Sequence, residues 1–150
     1  LPEKPAECRV DIQIDTHIPE KYIENLAGRL DVYKKIATVH TVEEETELLE
    51  ELDDRYGVPP GAIKHLIRIA LIRNQASKLG ITEIKQKKNA ILFYLTTVTE
   101  KQLPELLGKY KSRIFFNDSP TDSYISVKLS DDEKNIDLME EFINLMTENA

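Results

Sequence analysis

A run of carboxylates contains the side chains of this 150-residue sequence that are best suited to chemistry. Between residues 43 and 54 there are eight Asp and Glu side chains and no Lys or Arg. Carboxylates grouped in this way can bind Mg²⁺ or act as general acids and bases, and they can also attract a basic protein partner. A solvated helix face is the simpler interpretation, and the sequence alone favours it over catalysis or metal binding.

A helix is predicted to carry this acidic run, because Thr41-Val-Glu-Glu44 has the pattern of a capping box. The helix extends from about Val42 to Tyr56. Acids at spacings of three and four share its outward face: Glu47, Glu50, Glu51 and Asp54. An acid in the last helical turn opposes the helix dipole by about 0.3–1 kcal/mol. A face that costs stability favours a role in docking a basic partner.

The other reactive side chains do not form a recognisable catalytic or metal site. His17, His40 and His65 are widely separated in sequence, and a zinc site would need them to converge with carboxylates. Cys8 is the single cysteine, which excludes an internal disulfide and fits a reducing cytoplasm. The five glycines form neither a P-loop nor a dinucleotide fingerprint. We therefore expect no catalytic residue, no metal and no cofactor.

The net charge of −7 comes mainly from the acidic run, because 19 acids face 20 bases outside it. This balance argues against non-specific DNA binding, which needs phosphate-neutralising Lys and Arg. The six tyrosines are not grouped on one predicted strand with interleaved bases, which argues against a base-stacking sheet. Lys85, Lys87 and Lys88 are interpreted as protecting the edge of a hairpin. No apolar run has the length of a membrane span and no signal peptide is visible, so we expect a cytoplasmic protein.

The helix that follows the acidic one is predicted to be the central element of the fold. Tyr56-Gly-Val-Pro-Pro60 marks a break, where Gly57 can adopt a positive φ and Pro59 or Pro60 can open the next helix. The residues from there to Gly80, which supplies the stop, are apolar on most sides. Such a pattern predicts a long, buried helix.

Shorter elements surround that helix in the predicted fold. Apolar periodicity predicts strands over 9–14, 81–86, 90–95, 113–116 and 124–129. It also predicts helices over about 20–39, from Thr99 to about Leu107 with Gly108 as its stop, and after Ser130 as its cap. In the first of these helices, one apolar stripe is expected to face inward, formed by Tyr22, Ile23, Leu26, Leu30, Tyr33, Ile36 and Ala37. The fold class is α+β: an N-terminal strand and three helices, one long and buried, followed by an antiparallel β-sheet with two further helices. Residues 1–8 are predicted to be a linker and 9–150 a single domain.

Three segments of the sequence carry a family resemblance: Ile18–Ile23, Arg29–Ala37 and Glu51–Ile81. The last has the pattern Glu-Leu-x-Asp-Arg-aromatic-Gly, then Pro, then Ala-Leu-Ile-Arg and Ala-x-x-Leu-Gly-Ile. Together they resemble the C-terminal (TRCF) domain of bacterial transcription-repair coupling factors. Residues 82–150 match that domain only in pattern.

The resemblance implies a non-catalytic, regulatory domain of a larger multidomain ATPase, an ATP-dependent DNA translocase whose motor motifs lie upstream. It implies autoinhibition: the domain docks on an N-terminal module and masks the surface that binds the UvrA-type damage sensor of excision repair, until the motor engages stalled RNA polymerase on DNA. Glu51 and Asp54 would contact basic residues of that module, while Arg55, Tyr56 and Gly57 shape the helix end. The alternative is a module that regulates the motor's ATPase and DNA translocation, with weak DNA contact.

Overall fold

The computed structural model describes residues 7–150, so most of the predicted linker over 1–8 lies outside the described residues. Within this range the chain has five α-helices and one five-stranded sheet, which confirms the α+β prediction. Its contacts divide it into a helical unit, residues 14–74, and a sheet unit, which contains residues 75–150 and the N-terminal strand. That 9–150 is a single domain therefore stays a prediction.

Three helices build the helical unit: α1 Leu26–Ala37, α2 Val42–Tyr56 and α3 Gly61–Lys78, whose last turn belongs to the sheet unit. α2 has the predicted bounds because Thr41 caps it, with Thr41 Oγ1 accepting the backbone N–H of Glu44 at 3.1 Å. α3 begins after both prolines of the break, and the Pro60 carbonyl accepts the N–H of Ile63. Buried apolar residues of all three helices form one core: Val32, Ile36, Leu48, Leu52, Ile63, Ile67, Ala70 and Leu71.

α1 is shorter than the predicted helix over 20–39, and it buries a different face. It begins at Leu26 because the Asn25 side chain accepts the N–H groups of Ala27 and Gly28 at 2.7 and 3.3 Å. The preceding residues form a turn on the Pro19 carbonyl instead. The expectation that Leu26, Leu30 and Tyr33 face inward is wrong, since they are 61%, 52% and 38% exposed.

The sheet unit is organised around a five-stranded sheet with the order β1-β2-β3-β5-β4. The strands are β1 Arg9–Asp11, β2 Glu83–Lys87, β3 Ala90–Tyr94, β4 Ile114–Asn117 and β5 Tyr124–Lys128. β1 ends earlier than predicted and pairs with β2 in parallel, whereas all other pairs are antiparallel. The sheet is therefore mixed, and its N-terminal strand is part of it.

Two helices, α4 Gln102–Tyr110 and α5 Asn135–Glu148, pack on one face of this sheet. The Phe142 ring of α5 stacks on Phe93 of β3 with 3.8 Å between centroids, and Tyr110 of α4 packs on Phe142 at 6.2 Å. α4 runs through Gly108, where its end was predicted, because the buried Tyr110 anchors a further half turn. α5 begins five residues after Ser130, the predicted cap. None of the helices in the described range has the length and apolar character needed to cross a membrane.

Candidate functional site

Four acids of α2 form what we term the carboxylate stripe: Glu47, Glu50, Glu51 and Asp54. Their spacings of three and four place them along one face of the helix over two turns. Leu48 and Leu52 lie on another side of α2 and are buried in the core of the helical unit. This burial fixes the rotation of α2 about its axis and therefore holds the stripe toward solvent.

Glu51 is the member of the stripe that the helical unit holds in place. Its Oε1 accepts a hydrogen bond from Lys35 Nζ of α1 at 2.8 Å, and Arg55 Nη1 lies 3.8 Å away. The hydrogen bond to Glu51 is the main cause that raises the pKa of Lys35, so this lysine is charged at neutral pH. Glu51 is thus oriented in advance at the edge of a groove of about 440 Å³ between α1 and α2.

The other three acids of the stripe are exposed and uncompensated. Glu47, Glu50 and Asp54 make no hydrogen bond or ion pair with any residue in the described part of the chain. Their negative charge is therefore directed at solvent, where a surface rich in Lys and Arg can approach it. Complementary charges of this kind raise association rates and select the partner.

Comparison with known proteins identifies the family to which this site belongs. A family model described as the TRCF domain matches residues 12–106, which include the entire stripe. The chain belongs to the TRCF domain family. The transcription-repair-coupling factor of Bacillus subtilis (strain 168) is 33% identical over 103 residues, 69% of this chain and 8% of that protein. That of Escherichia coli (strain K12) is 30% identical over 147 residues, 96% of this chain and 13% of that protein.

A solved structure has the fold of this TRCF domain. It is described as the crystal structure of the C-terminal domain of a transcription-repair coupling factor, and it covers 97% of this chain and 92% of its own. The TM-score is 0.81 at 19% sequence identity, a level at which the likeness shows the fold alone. This chain covers only 8% and 13% of the length of the two curated relatives above.

The C-terminal end of α2 in the TRCF domain is held by contacts that do not involve the stripe. Tyr22 Oη donates to the Gly57 carbonyl at 2.7 Å, and the Tyr22 and Tyr56 rings lie 5.7 Å apart. Burial, followed by the charge of Asp53, raises the pKa of Tyr22 and keeps its hydroxyl a donor. Arg55 lies 5.0 Å from the centre of the Tyr56 ring. Gly57 has φ +91°, which L residues rarely adopt.

The remaining residues singled out in the sequence lie apart from the stripe. Pro59 is buried after the break, and Gly80, with φ +81°, ends α3 as predicted. His17 and His65 both contact Asp15, through Nδ1 distances of 2.9 Å to its carboxylate and 3.3 Å to its carbonyl. Over residues 7–150, no three His, Cys, Asp or Glu side chains are grouped so that they could hold a metal ion.

Sequence reasoning missed two residues that support the site, Lys35 and Tyr22. Lys35 is 16 positions before Glu51, and Tyr22 is 35 positions before Gly57. Their contacts depend on how α1 and the segment before it pack on α2, and no local spacing indicates this. Lys35 offered one weak signal, since it is a base on the helix that precedes a run of acids with no Lys or Arg among them.

Proposed function

We propose that this TRCF domain is a regulatory protein-interaction domain that acts by docking and not by catalysis. Its partner is the N-terminal module of a transcription-repair coupling factor, the part that binds the damage sensor of excision repair. Docking masks that surface until the motor of the protein engages stalled RNA polymerase. The carboxylate stripe of α2, with its exposed and uncompensated Glu47, Glu50 and Asp54, is the observation that carries this proposal.

The arrangement of the stripe supports a protein partner more than it supports a small ligand. Glu51 and Asp54 are three residues apart on one face, so a single basic surface can reach both. Glu51 keeps one geometry through Lys35, which lowers the conformational entropy that is lost on binding. Release of the domain is then a population shift between a closed state and an open one.

The test is calorimetric binding of this chain to the N-terminal module, supplied as a separate protein. A Glu51→Lys/Asp54→Lys variant reverses two charges of the stripe and should abolish binding. A Glu100→Lys/Glu148→Lys variant makes the same change in net charge at two exposed acids of the sheet unit and should bind as the wild type does. Docking on the stripe is contradicted if both variants bind normally or if both lose binding equally.

Weak binding is tested by joining the module to the chain with a flexible linker, which raises the effective concentration to the millimolar range. In the joined protein, the damage sensor should bind more tightly to the Glu51→Lys/Asp54→Lys variant than to the wild type. Equal affinity of the damage sensor for the two joined proteins would show that the domain masks nothing.

A further inference from the structure

The sheet of the sheet unit has a second face, opposite the one on which α4 and α5 pack. Register and alternation place these residues on what we term the open face: the bases Arg9, Lys85, Lys87 and Lys128, the acids Asp11 and Glu83, and the uncharged residues Ala90, Leu92, Tyr94, Phe115, Asn117, Tyr124 and Ser126. Phe115 is 59% exposed, and Lys85, Lys87 and Lys128 are exposed as well. The open face therefore presents both aromatic and cationic groups to solvent.

The sheet register brings together aromatic side chains that are distant in sequence. Tyr94 and Tyr124 are direct cross-strand partners, and their rings meet edge-on with centroids 5.3 Å apart. Phe115 lies one strand further on, opposite Ser126. Tyr94 and Tyr124 lie on separate strands, as expected, but these two strands are adjacent in the sheet.

Protection of a sheet edge does not explain Lys85. Lys85 lies on β2, which has β1 on one side and β3 on the other, so this strand is interior at Lys85. Lys87 and Lys128 flank Ala90, and strand spacing puts their backbones about 10 Å apart. On this face, the small side chain of Ala90 lies between the two cations, Lys87 and Lys128.

Negative charge is absent from this part of the sequence. Residues 84–98 and 123–130 contain Lys85, Lys87, Lys88 and Lys128 and no Asp or Glu. The acids of the open face lie toward the other end of the sheet, where Glu83 is 3.5 Å from Arg9 and Asp11 is the direct cross-strand partner of Lys85. An anionic ligand is therefore directed to the end with Lys87 and Lys128 and to the neighbouring Phe115.

We propose that the open face binds single-stranded nucleic acid, with a base stacked on Phe115 and phosphates held by Lys87 and Lys128. Exposed aromatic rings beside a basic track on a sheet are the features by which proteins hold unpaired bases. Both the rings and the lysines are present here, and charge complementarity selects a polyanion over a neutral partner. This proposal is independent of the docking function, since it uses no residue of the helical unit.

Fluorescence anisotropy tests the proposal, with labelled oligo-dT and oligo-rU strands of about 15 nucleotides and the full 150-residue chain. Phe115→Ala should weaken binding by about tenfold. Phe116→Ala is the matched control, because Phe116 is on the same strand, is 37% exposed and points to the other face. It should leave the affinity unchanged. Equal effects of the two substitutions would overturn the proposal.

The phosphate contacts are tested by the salt dependence of binding between about 50 and 200 mM. Lys87→Gln/Lys128→Gln should lower the slope of log K against log salt by about 1.4, since each phosphate contact of a single strand contributes about 0.7. Lys101→Gln/Lys134→Gln removes the same charge from exposed positions at the starts of α4 and α5 and should not change the slope. No binding by the wild type at low salt, or equal binding of an oligo-glutamate peptide, contradicts a nucleic-acid site.

Discussion

Two acids of the carboxylate stripe, three residues apart, should affect stability in opposite directions. Asp54 lies in the last turn of α2, where the helix dipole disfavours a carboxylate by about 0.3–1 kcal/mol. Glu50 lies four residues before it and adds a like-charge repulsion of about 0.2–0.5 kcal/mol. Asp54 has no partner in the described part of the chain that offsets these costs. Asp54→Asn should therefore raise the free energy of unfolding by about 0.5–1 kcal/mol at low salt.

Glu51→Gln should lower the free energy of unfolding, because it replaces a carboxylate that accepts the 2.8 Å hydrogen bond from Lys35 and also lies near Arg55. Each substitution is the control for the other, since both remove one negative charge from the same helix face. Both should weaken docking on a basic module. A gain in stability together with a loss of binding on Asp54→Asn is expected only if docking requires a charge that is unfavourable for folding.

The assay is urea unfolding followed by far-UV circular dichroism, at low salt and again near 1 M salt, where the Debye length is about 3 Å. The gain from Asp54→Asn should shrink at high salt because the dipole and repulsion terms are screened. A loss of stability on Asp54→Asn would mean that Asp54 has an intramolecular partner. A gain on both substitutions would mean that the Lys35 contact does not stabilise the fold. Either result refutes the reasoning.

Two further predictions concern the core of the sheet unit. Phe142→Ala should lower the free energy of unfolding by about 3–5 kcal/mol in urea titrations, because Phe142 is fully buried and stacks on Phe93. A loss below about 1 kcal/mol, the range of surface substitutions, would contradict this packing. Burial, followed by the charge of Glu141, raises the pKa of Tyr110. The stability that the neutral hydroxyl contributes is therefore complete below about pH 10, the pKa of an unfolded tyrosine, and is lost as the pH rises above this value. Tyr110→Phe should flatten the alkaline decline of stability by up to about 1.4 kcal/mol per pH unit, and an unchanged slope would refute it.

The parts of the fold that sequence patterns predicted well are those with local signals. α2 has the predicted bounds because the two residues that set its ends, the N-cap Thr41 and the C-cap Gly57, directly flank the helix in the sequence. Gly80 ends α3 for the same reason, since its φ of +81° favours glycine. A capping hydroxyl or a positive φ acts over three or four residues, so its effect can be read without knowing the tertiary structure.

Sequence patterns led to wrong predictions where packing between residues distant in the sequence determines the structure. The apolar residues Leu26, Leu30 and Tyr33 have helical spacing, but that spacing does not say which of two apolar faces of α1 is buried, and the core takes Val32 and Ile36. At Gly108 the usual stop signal is overridden, because burying the Tyr110 ring favours a longer α4 by more than a helical glycine costs.

The two candidate surfaces differ in how far the sequence could predict them. The carboxylate stripe lies on one helix, so its spacing in the sequence is also its spacing in space, and only its anchor Lys35 was missing. The open face is assembled from separate strands, whose order and register are decided by non-local pairing. Residues such as Phe115 and Tyr94 are 21 positions apart in the sequence but lie two strands apart on one face.

Net charge says little about any one surface because it averages surfaces of opposite sign. The balance of charges argues against non-specific DNA binding, and eight of the 27 acids lie within residues 43–54, in the helical unit. Beyond a Debye length of about 10 Å at 0.1 M salt, exposed charges hardly influence one another. A ligand near Lys87 and Lys128 therefore responds to the charges around it and not to the sum over the chain. For the same reason, an acidic domain can attract a basic protein surface through one element and an anionic strand through another.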